Sequence, residues 1–256
     1  MDYRIEALAE DALLLRLGER VDAALNARVH ALAMRLRSRL PGVEIVPAYA
    51  SLLIRYDVLA WSDDSTTVAD GEAGLLARPA RLRARIEAVL AEPSDTVACG
   101  RLLSVPVLYD EANGPDLAAL AAHAGLTLDE VIARHTAPEY RVAMIGFAPG
   151  FPYLLGLDPL LAMPRRASPR RAVPAGSVAI GGAQTGIYPA ALPGGWQLIG
   201  RTPLALFDPR REPPCLLAAG DRVRFRAIDQ QRFAALAASG GQGWPLGEGC
   251  DPGTSP

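Results

Sequence analysis

The sequence has 256 residues, half of them hydrophobic, and a formal net charge of -2. A chain of this size can bury a core without disulfides or a metal, as one large domain or two smaller ones. The small net charge provides no excess positive field, so nucleic acid and anionic membrane surfaces are excluded as partners for the chain as a whole.

The cysteine pattern indicates a reducing compartment. Cys99, Cys215 and Cys250 are odd in number and far apart, which does not suit a disulfide framework. The first twenty residues carry acids within their apolar stretch and have no long apolar run behind a basic flank, so no export signal or membrane span is expected. We therefore expect a cytoplasmic protein.

Lysine is absent, and all 26 residues in the Lys and Arg class are arginines. A phosphate-loop lysine, a Schiff-base lysine and a biotinyl lysine each need a primary amine, so this chain contains none of them. If ATP or biotin takes part in its chemistry, another chain must supply the usual attachment residue.

The first part of the sequence, residues 1–92, predicts an α+β N-terminal domain. Alternating polarity predicts four strands and three-to-four spacing predicts two helices. The strands are residues 3–9, 12–17, 43–47 and 51–56, and the helices run from Asp22 to about Leu40 and from Pro79 onward. Asp22 is placed to cap the first helix. Its off-stripe residues, which we expect on a solvated face, are Arg28, His30, Arg35, Arg37 and Arg39.

Two polar stretches interrupt this pattern. The loop WSDDSTTVADGEAG after the fourth strand is expected to be mobile, and AEPSDTVACG, at residues 91–100, has the proline and polar content of a linker. The sequence therefore predicts two domains joined near residue 95.

The second domain is predicted over residues 101–230. Leu102 to Tyr109 predicts a strand, GPDLAALAAHAG a short helix, and the capping-box spacing of Thr127 and Glu130 a helix that runs to about His135. After these helices, short β-like runs alternate with Pro/Gly turns, which is typical of an antiparallel sandwich or barrel. The glycine-rich residues 231–256 predict a loosely ordered tail.

Several common kinds of site are not expected from the motifs. The three histidines form no HxxxH or HExxH pair, so no metal site is expected. Ser177 lies in AGSVA and lacks the G-x-S-x-G elbow of a serine hydrolase. The run SVAIGGAQTG resembles neither GxGxxG nor a phosphate loop; it predicts tight turning, with substrate approach by bare backbone amides as the alternative.

Two other segments are compatible with a site. In MPRRASPRRAVPAG, Arg165-Arg166 and Arg170-Arg171 lie five residues apart between prolines, and rigid arginine forks suit an anionic substrate. A solvated loop or an interface salt bridge explains them equally well. GFAPGFPYL and PGGWQLIG place aromatic residues on Gly/Pro turns, where they plug a barrel end or line a pocket.

These segments resemble the family of the 5-oxoprolinase B subunit, also described as allophanate hydrolase subunit 1 or KipI-like. The resemblance covers about residues 3–228 and rests on GFAPGFPYL, the long run from PRRASPRR to LALFD, and AGDRVRF, in one order. It implies a cyclophilin-like antiparallel β-barrel for the second domain.

The resemblance also implies an activity and partners. The activity is ATP-dependent hydrolysis of 5-oxo-L-proline to L-glutamate, performed with a KipA-like C subunit of 5-oxoprolinase and a LamB/YcsF-like A subunit. Two alternatives stay open: a KipI-type inhibitor of a sensor kinase, and a carboxyltransferase half related to urea carboxylase. Against the latter, this chain is short and has no lysine for biotin.

Matching the family motifs residue by residue selects candidate site residues, to which we assign roles. His135 is a candidate for proton transfer, although a structural histidine is an equal interpretation. Arg165 and Arg170 are candidates for binding an anion, and Arg166 and Arg171 are weaker ones. The candidates for a substrate pocket are Phe147, Pro149, Gly150, Phe151, Tyr153, Gln184, Tyr188, Gly195, Trp196 and Arg201.

Overall fold

The structure, a computed structural model, describes residues 3–61, 71–93 and 100–247, with side chains from residue 81 onward in the second of these ranges. Most of the predicted mobile loop and of the predicted linker lies outside these residues. The chain divides into two compact units, Met1–Ala98 and Cys99–Pro256, and each has a core of its own.

The first unit contains one antiparallel sheet and two helices. The sheet order is β1-β2-β4-β3. The strands are β1 (Arg4–Ala9), β2 (Ala12–Arg16), β3 (Val43–Pro47) and β4 (Ser51–Tyr56), and the helices are α1 (Ala23–Arg39) and α2 (Gly71–Ala91). Apolar residues of the sheet and of both helices form its core.

Helix α1 begins as predicted, because the Asp22 side chain accepts a hydrogen bond from the backbone N–H of Leu25 at 2.8 Å. The expectation of a solvated face holds for the exposed Arg28 but is wrong for His30, which is buried. It is also wrong for Arg35, which donates to the carbonyl oxygen of Val89 in α2. A second helix packs there, which the periodicity of α1 alone does not reveal.

Helix α2 begins at Gly71, so the prediction that Pro79 opens it is wrong. The preceding residues include Ala and Leu, which favour helix strongly enough to extend it. Proline is therefore an interior residue of this helix rather than its first.

The second unit is a nearly closed β-barrel with helices. Its strands are β5 (Leu102–Val107), β6 (Tyr140–Ile145), β7 (Pro152–Leu155), β8 (Arg170–Val173), β9 (Ser177–Gly181), β10 (Gln184–Ile187), β11 (Leu192–Gly194), β12 (Gln197–Arg201) and β13 (Arg222–Ala227). Its helices are α3 (Leu117–Ala124), α4 (Leu128–Thr136) and α5 (Gln230–Ala238). The capping box predicted for α4 is present.

Seven of these strands form the barrel in the order β12-β9-β10-β7-β6-β13-β5. A bridge between Leu108 and Arg201, with hydrogen bonds of 2.9 and 3.0 Å, joins the two ends of this sheet. The sheet is mixed, because β13 pairs with β5 in parallel, so the expectation of a purely antiparallel barrel is wrong. More than 110 residues separate these two strands, and such a connection permits the parallel crossover.

The barrel wall has two apolar faces. Alternate residues of a strand face opposite sides. In β9, Val178 and Ile180 belong to the main core, whereas Ala179 belongs to a second, smaller cluster on the other side. The main core also receives residues of α3 and α4. The antiparallel pair β8 and β11 contributes Val173 to the smaller cluster and covers part of the outer face.

The C-terminal segment is more ordered than the expected loose tail, as far as Gly247. Residues 230–238 form α5, whose N-cap is Asp229. Farther on, the Trp244 indole N–H donates to the carbonyl oxygen of Ser104 at 3.0 Å. The backbone N–H of Ser104 donates to the carbonyl oxygen of Leu246 at 2.9 Å. The segment therefore lies along β5. No described helix has the length and apolar character needed to cross a membrane.

Two glycines at turns of the barrel differ in how closely another backbone segment packs against them. Gly176 and Gly182 both have positive φ, 81° and 65°. A Cβ on Gly176 would meet the carbonyl oxygen of Thr202, whereas one on Gly182 would meet nothing within 4 Å. We expect both alanine variants to lose roughly 1–2 kcal/mol through backbone strain. Gly176→Ala should lose about 1–3 kcal/mol more through overpacking. Urea denaturation of the two variants measures the difference, and equal losses would contradict this packing.

Candidate functional site

A pocket of about 260 Å³ lies on the outer face of the barrel wall. This volume lies just below the roughly 300–1,000 Å³ of drug-sized ligand sites, so the pocket suits only a small molecule. Its wall is mainly aromatic and proline-rich, with two arginines. The lining residues are Phe147, Phe151, Tyr153, Arg165, Arg166, Pro169, Tyr188, Pro193, Gly194, Gly195 and Trp196.

The turn between β6 and β7 positions Phe147 at the pocket. Hydrogen bonds close this turn from Gly146 N to Phe151 O at 3.1 Å and from Phe151 N to Ala148 O at 3.0 Å. Phe147 has φ of 67° and is 61% exposed. A left-handed conformation is uncommon for a bulky residue, and an exposed phenylalanine gains little from burial. Neither feature is explained by packing of the core.

Aromatic rings form the floor of the pocket. Phe151 makes T-shaped contacts with Tyr188 and Trp196, at centroid distances of 5.2 and 5.6 Å. The Trp196 ring lies on β9, where a Cβ on Gly181 would come within 2.5–2.9 Å of ring atoms. Glycine is thus required there because the indole approaches the backbone. The rings are held edge to face, which makes the floor rigid.

Arg165 is the cation of the pocket. Its guanidinium carbon lies 5.5 Å from the centre of the Trp196 ring, a cation–π arrangement. Among the described residues, Arg165 forms no ion pair with a carboxylate, and its side chain is exposed. A planar fork held over an aromatic ring in this way is suited to binding a carboxylate or a phosphate.

Asp116, just before α3, binds two of the other three arginines of this segment, Arg166 and Arg170. Its Oδ1 accepts from Arg166 Nη1 at 3.1 Å and from Arg170 Nη2 at 2.8 Å. Its Oδ2 accepts from the backbone N–H of Leu198 in β12 at 2.7 Å. This role of Asp116 is not predicted from the sequence. Its position just before a helix is typical of an N-cap residue, but its side chain makes no capping hydrogen bond.

Two tyrosine hydroxyls belong to the pocket as neutral groups. Burial raises the pKa of Tyr153, and the Arg165 charge offsets this only in part. Burial likewise raises the pKa of Tyr188, against a hydrogen bond from the Trp196 backbone and the charge of Arg165. Both phenols therefore keep their protons at neutral pH. The pocket consequently combines a positive charge with neutral donors and carries no carboxylate among its lining residues.

The structure brings most of the predicted site residues together, but not all. Of the predicted residues, Phe147, Phe151, Tyr153, Arg165, Tyr188, Gly195 and Trp196 line the pocket, as does the weaker candidate Arg166. The others lie elsewhere: Pro149 and Gly150 in the turn beside Phe147, Gln184 at the start of β10, Arg170 and Arg171 in β8, and Arg201 at the barrel closure, where its Nε donates to Ala175.

His135 lies in the main core, on the opposite side of the barrel wall from the pocket. Its Nδ1 is 2.7 Å from the Tyr109 hydroxyl and its Nε2 is 3.1 Å from Thr185 Oγ1. Thr185 donates its own proton to Ala179 O, so Nε2–H donates to Thr185 and Nδ1 accepts from Tyr109. The ring also stacks on Phe225 at 4.6 Å. These contacts are those of a structural histidine.

No group of three or more His, Cys, Asp or Glu residues in the described ranges is placed to hold a metal ion. The glycine-rich run forms β9, a two-residue turn and β10, with no helix N-terminus behind it. It therefore does not form the kind of loop that cradles nucleotide phosphates. What the site can do is bind a small anion against an aromatic floor, with the wall open on one side.

The fold and the pocket together define a β-barrel protein with a small aromatic pocket on the outer face of the barrel. Residues 3–217 match the family described as carboxyltransferase domain, subdomain C and D. The 5-oxoprolinase B subunit of Bacillus subtilis (strain 168) is 42% identical over 91% of this chain and 96% of its own.

The corresponding protein of Escherichia coli O157:H7 is 44% identical over 87% of this chain and 94% of its own. The crystal structure of TTHA0988 superposes with a TM-score of 0.69 at 41% identity. That alignment covers 85% of this chain but 40% of the longer TTHA0988 chain. The chain belongs to the family of the 5-oxoprolinase B subunit.

The buried His135 gives a pH-dependent contribution to stability. Burial lowers its pKa to about 3, so the folded protein leaves the ring neutral while the unfolded chain protonates it below about pH 6.5. The contribution of His135 to the free energy of unfolding is therefore fully present above about pH 6.5. It decreases as the pH falls below that value, by up to about 1.4 kcal/mol per pH unit.

We expect the free energy of unfolding of His135→Gln to fall less steeply between pH 7 and pH 5 than that of the unmodified protein. Urea denaturation at several pH values measures the slopes. His123→Gln, which changes an exposed histidine, is the control. Parallel slopes for His135→Gln and the unmodified protein would contradict a neutral buried ring.

Proposed function

We propose that this chain is the B subunit of an ATP-dependent 5-oxoprolinase, which hydrolyses 5-oxo-L-proline to L-glutamate. The observation that carries the proposal is the pocket, in which Arg165 is held over the Trp196 ring. The 42–44% identity to proteins that carry this name supports it. The substrate is a small ring with one carboxylate, and the pocket offers an aromatic floor and one available guanidinium.

In the reaction, water adds to the lactam carbonyl carbon, the ring C–N bond breaks, and the nitrogen takes a proton to become the amine of glutamate. A planar amide is stable, so its oxygen must be activated, and ATP hydrolysis to ADP and phosphate drives this step in the assembled enzyme. The residues of this chain fit no nucleotide loop, so we assign no step of the ATP chemistry to them.

The role of this chain is therefore to bind and orient. The guanidinium of Arg165 binds the substrate carboxylate, and the ring packs against Trp196 and Phe151. The hydroxyls of Tyr153 and Tyr188, both protonated, are donors for the lactam oxygen. Phe147 lies at the open side of the pocket, where another protein of the assembly can complete the wall. His135, in the core, supports the wall from the other side and is not assigned proton transfer.

The proposal also covers the domains, the partners and the cellular compartment. We assign the second unit to the cyclophilin-like barrels, over residues 101–230, and the first, over residues 1–92, to a separate α+β domain. The partners are a KipA-like protein and a LamB/YcsF-like protein, and the assembly acts in the cytoplasm. A carboxyltransferase role is less well supported, because this chain has no lysine to carry biotin.

The first test concerns Arg165. Arg165→Lys keeps the charge but loses the fork, so we expect the assembled enzyme to lose about 1.5–3 kcal/mol of substrate binding, the worth of a hydrogen bond to a charged group. This appears as a KM for 5-oxo-L-proline raised by roughly 10-fold to 100-fold. Arg210→Lys is the control, since Arg210 is exposed and pairs with the neighbouring Asp208. An unchanged KM in Arg165→Lys would exclude the carboxylate contact.

The second test concerns assembly. An exposed Phe147 beside an incomplete wall predicts that the isolated chain has no activity of its own. We expect glutamate to form from 5-oxo-L-proline and ATP only when this chain is mixed with both its KipA-like and its LamB/YcsF-like partner. Chromatographic assay of glutamate for each single protein, each pair and the full mixture measures this. Full activity of the two partners without this chain would refute the proposal.

A further inference from the structure

Together with Arg165 and Arg166, Asp116 lines a surface hollow next to the pocket, but Asp116 is not among the residues that line the pocket itself. We propose that it is a positioning residue: it fixes the arginine loop, defined as residues 164–171, and so sets the affinity of the pocket for a carboxylate substrate. The inference rests on the proposed function and deepens it, because it names a residue on which the Arg165 contact depends.

The carboxylate of Asp116 is fully engaged. Three donors bind it: Arg166 and Arg170 at Oδ1, and the backbone N–H of Leu198 at Oδ2. The side chain is 7% exposed. Charge-assisted hydrogen bonds in such a buried place are strong. A carboxylate that already accepts three hydrogen bonds is satisfied without a fourth donor such as Arg165. Asp116 therefore holds two arginines and leaves Arg165 available.

The same carboxylate joins the loop to the barrel. The Asp116 backbone N–H donates to Leu198 O at 2.9 Å, so the backbone and the side chain of Asp116 both form hydrogen bonds with β12. Two further contacts fix the loop on either side of Arg165: Arg166 N donates to Gly195 O at 2.7 Å, and Gln197 Nε2 donates to Pro164 O at 2.8 Å. Arg165 is thus held between anchored neighbours.

Charge makes this arrangement depend on Asp116. The guanidinium groups of Arg166 and Arg170 share this one carboxylate, and Arg165 adds a third positive charge to the same loop. Arg170 Nη1 is buried without a hydrogen-bond partner among the described residues. Without the Asp116 charge, like charges would repel one another across a partly buried space. The loop would then relax outward, and Arg165 would leave its place over Trp196.

A residue that only stabilises the fold would behave differently. Its loss would lower the melting temperature and the amount of active protein, but not the KM of the molecules that remain folded. Asp221 is a matched control, because its buried carboxylate also binds an arginine, Arg101 at 2.6 Å, and a backbone N–H, that of Ala218 at 2.9 Å. It lines no part of the pocket.

The experiment compares Asp116→Asn with Asp221→Asn in the assembled enzyme. We expect Asp116→Asn to raise the KM for 5-oxo-L-proline about tenfold, the effect of a weakened hydrogen bond to a charged group, with a much smaller change in kcat. Asp221→Asn should lower thermal stability and leave KM unchanged. If the two variants have the same KM, Asp116 is only structural and the inference is wrong.

A double variant tests whether Asp116 acts through Arg165. In an Arg165→Gln background the contact is already absent, so adding Asp116→Asn should raise KM little further. Effects that simply multiply would show two independent roles and overturn the inference.

Failure of the proposed function can be told apart from failure of this inference. If the unmodified assembly forms no glutamate, the proposed function is wrong, and a crystal structure of Asp116→Asn still tests the inference. We expect Arg165 to be displaced from the 5.5 Å contact with Trp196. An arginine loop in its original place would refute the positioning role whatever the substrate is.

Discussion

The two-sided wall of the barrel is the constraint on which the rest of the second unit depends. A strand sends alternate side chains to opposite faces, so β9 places Val178 in the main core and Ala179 under the pocket. The same rule places Thr185, with its partner His135, on the inner side, and Tyr188 on the outer side. A single register thus decides which residues stabilise the barrel and which form the site, and a one-residue slip would exchange them.

Local patterns in the sequence predicted much of this fold. Asp22 and the pair Thr127 and Glu130 are caps whose partners lie within three residues, so spacing alone identifies them. The aromatic residues of the pocket were also found from motifs. What the sequence left open or missed depends on distant packing. The role of His135 stayed open between a structural histidine and proton transfer, and Asp116 was missed because its arginine partners lie 50 and 54 residues away. A pattern in one segment carries no information about such contacts.

The exclusive use of arginine has structural consequences beyond the pocket. Arg211 donates to the carbonyl oxygens of Ala205, Leu206, Pro213 and Pro214, and so ties together an irregular segment between β12 and β13. A lysine ammonium is a compact point charge and does not reach four acceptors in this planar arrangement. The unit therefore uses guanidinium groups as structural connectors as well as binding groups.

The segment that ends at Gly247 protects a vulnerable edge. In the part of the chain that the structure describes, strand β5 joins β12 through the bridge at Leu108, so the backbone groups of its other even-numbered residues point away from both β13 and β12. Ser104 is covered by Trp244 and Leu246, and Pro106 has no N–H to offer. An unpaired strand edge invites pairing with another chain and hence aggregation. By occupying hydrogen-bonding groups of Ser104, the C-terminal segment leaves fewer backbone groups of β5 with which a strand of another chain could pair.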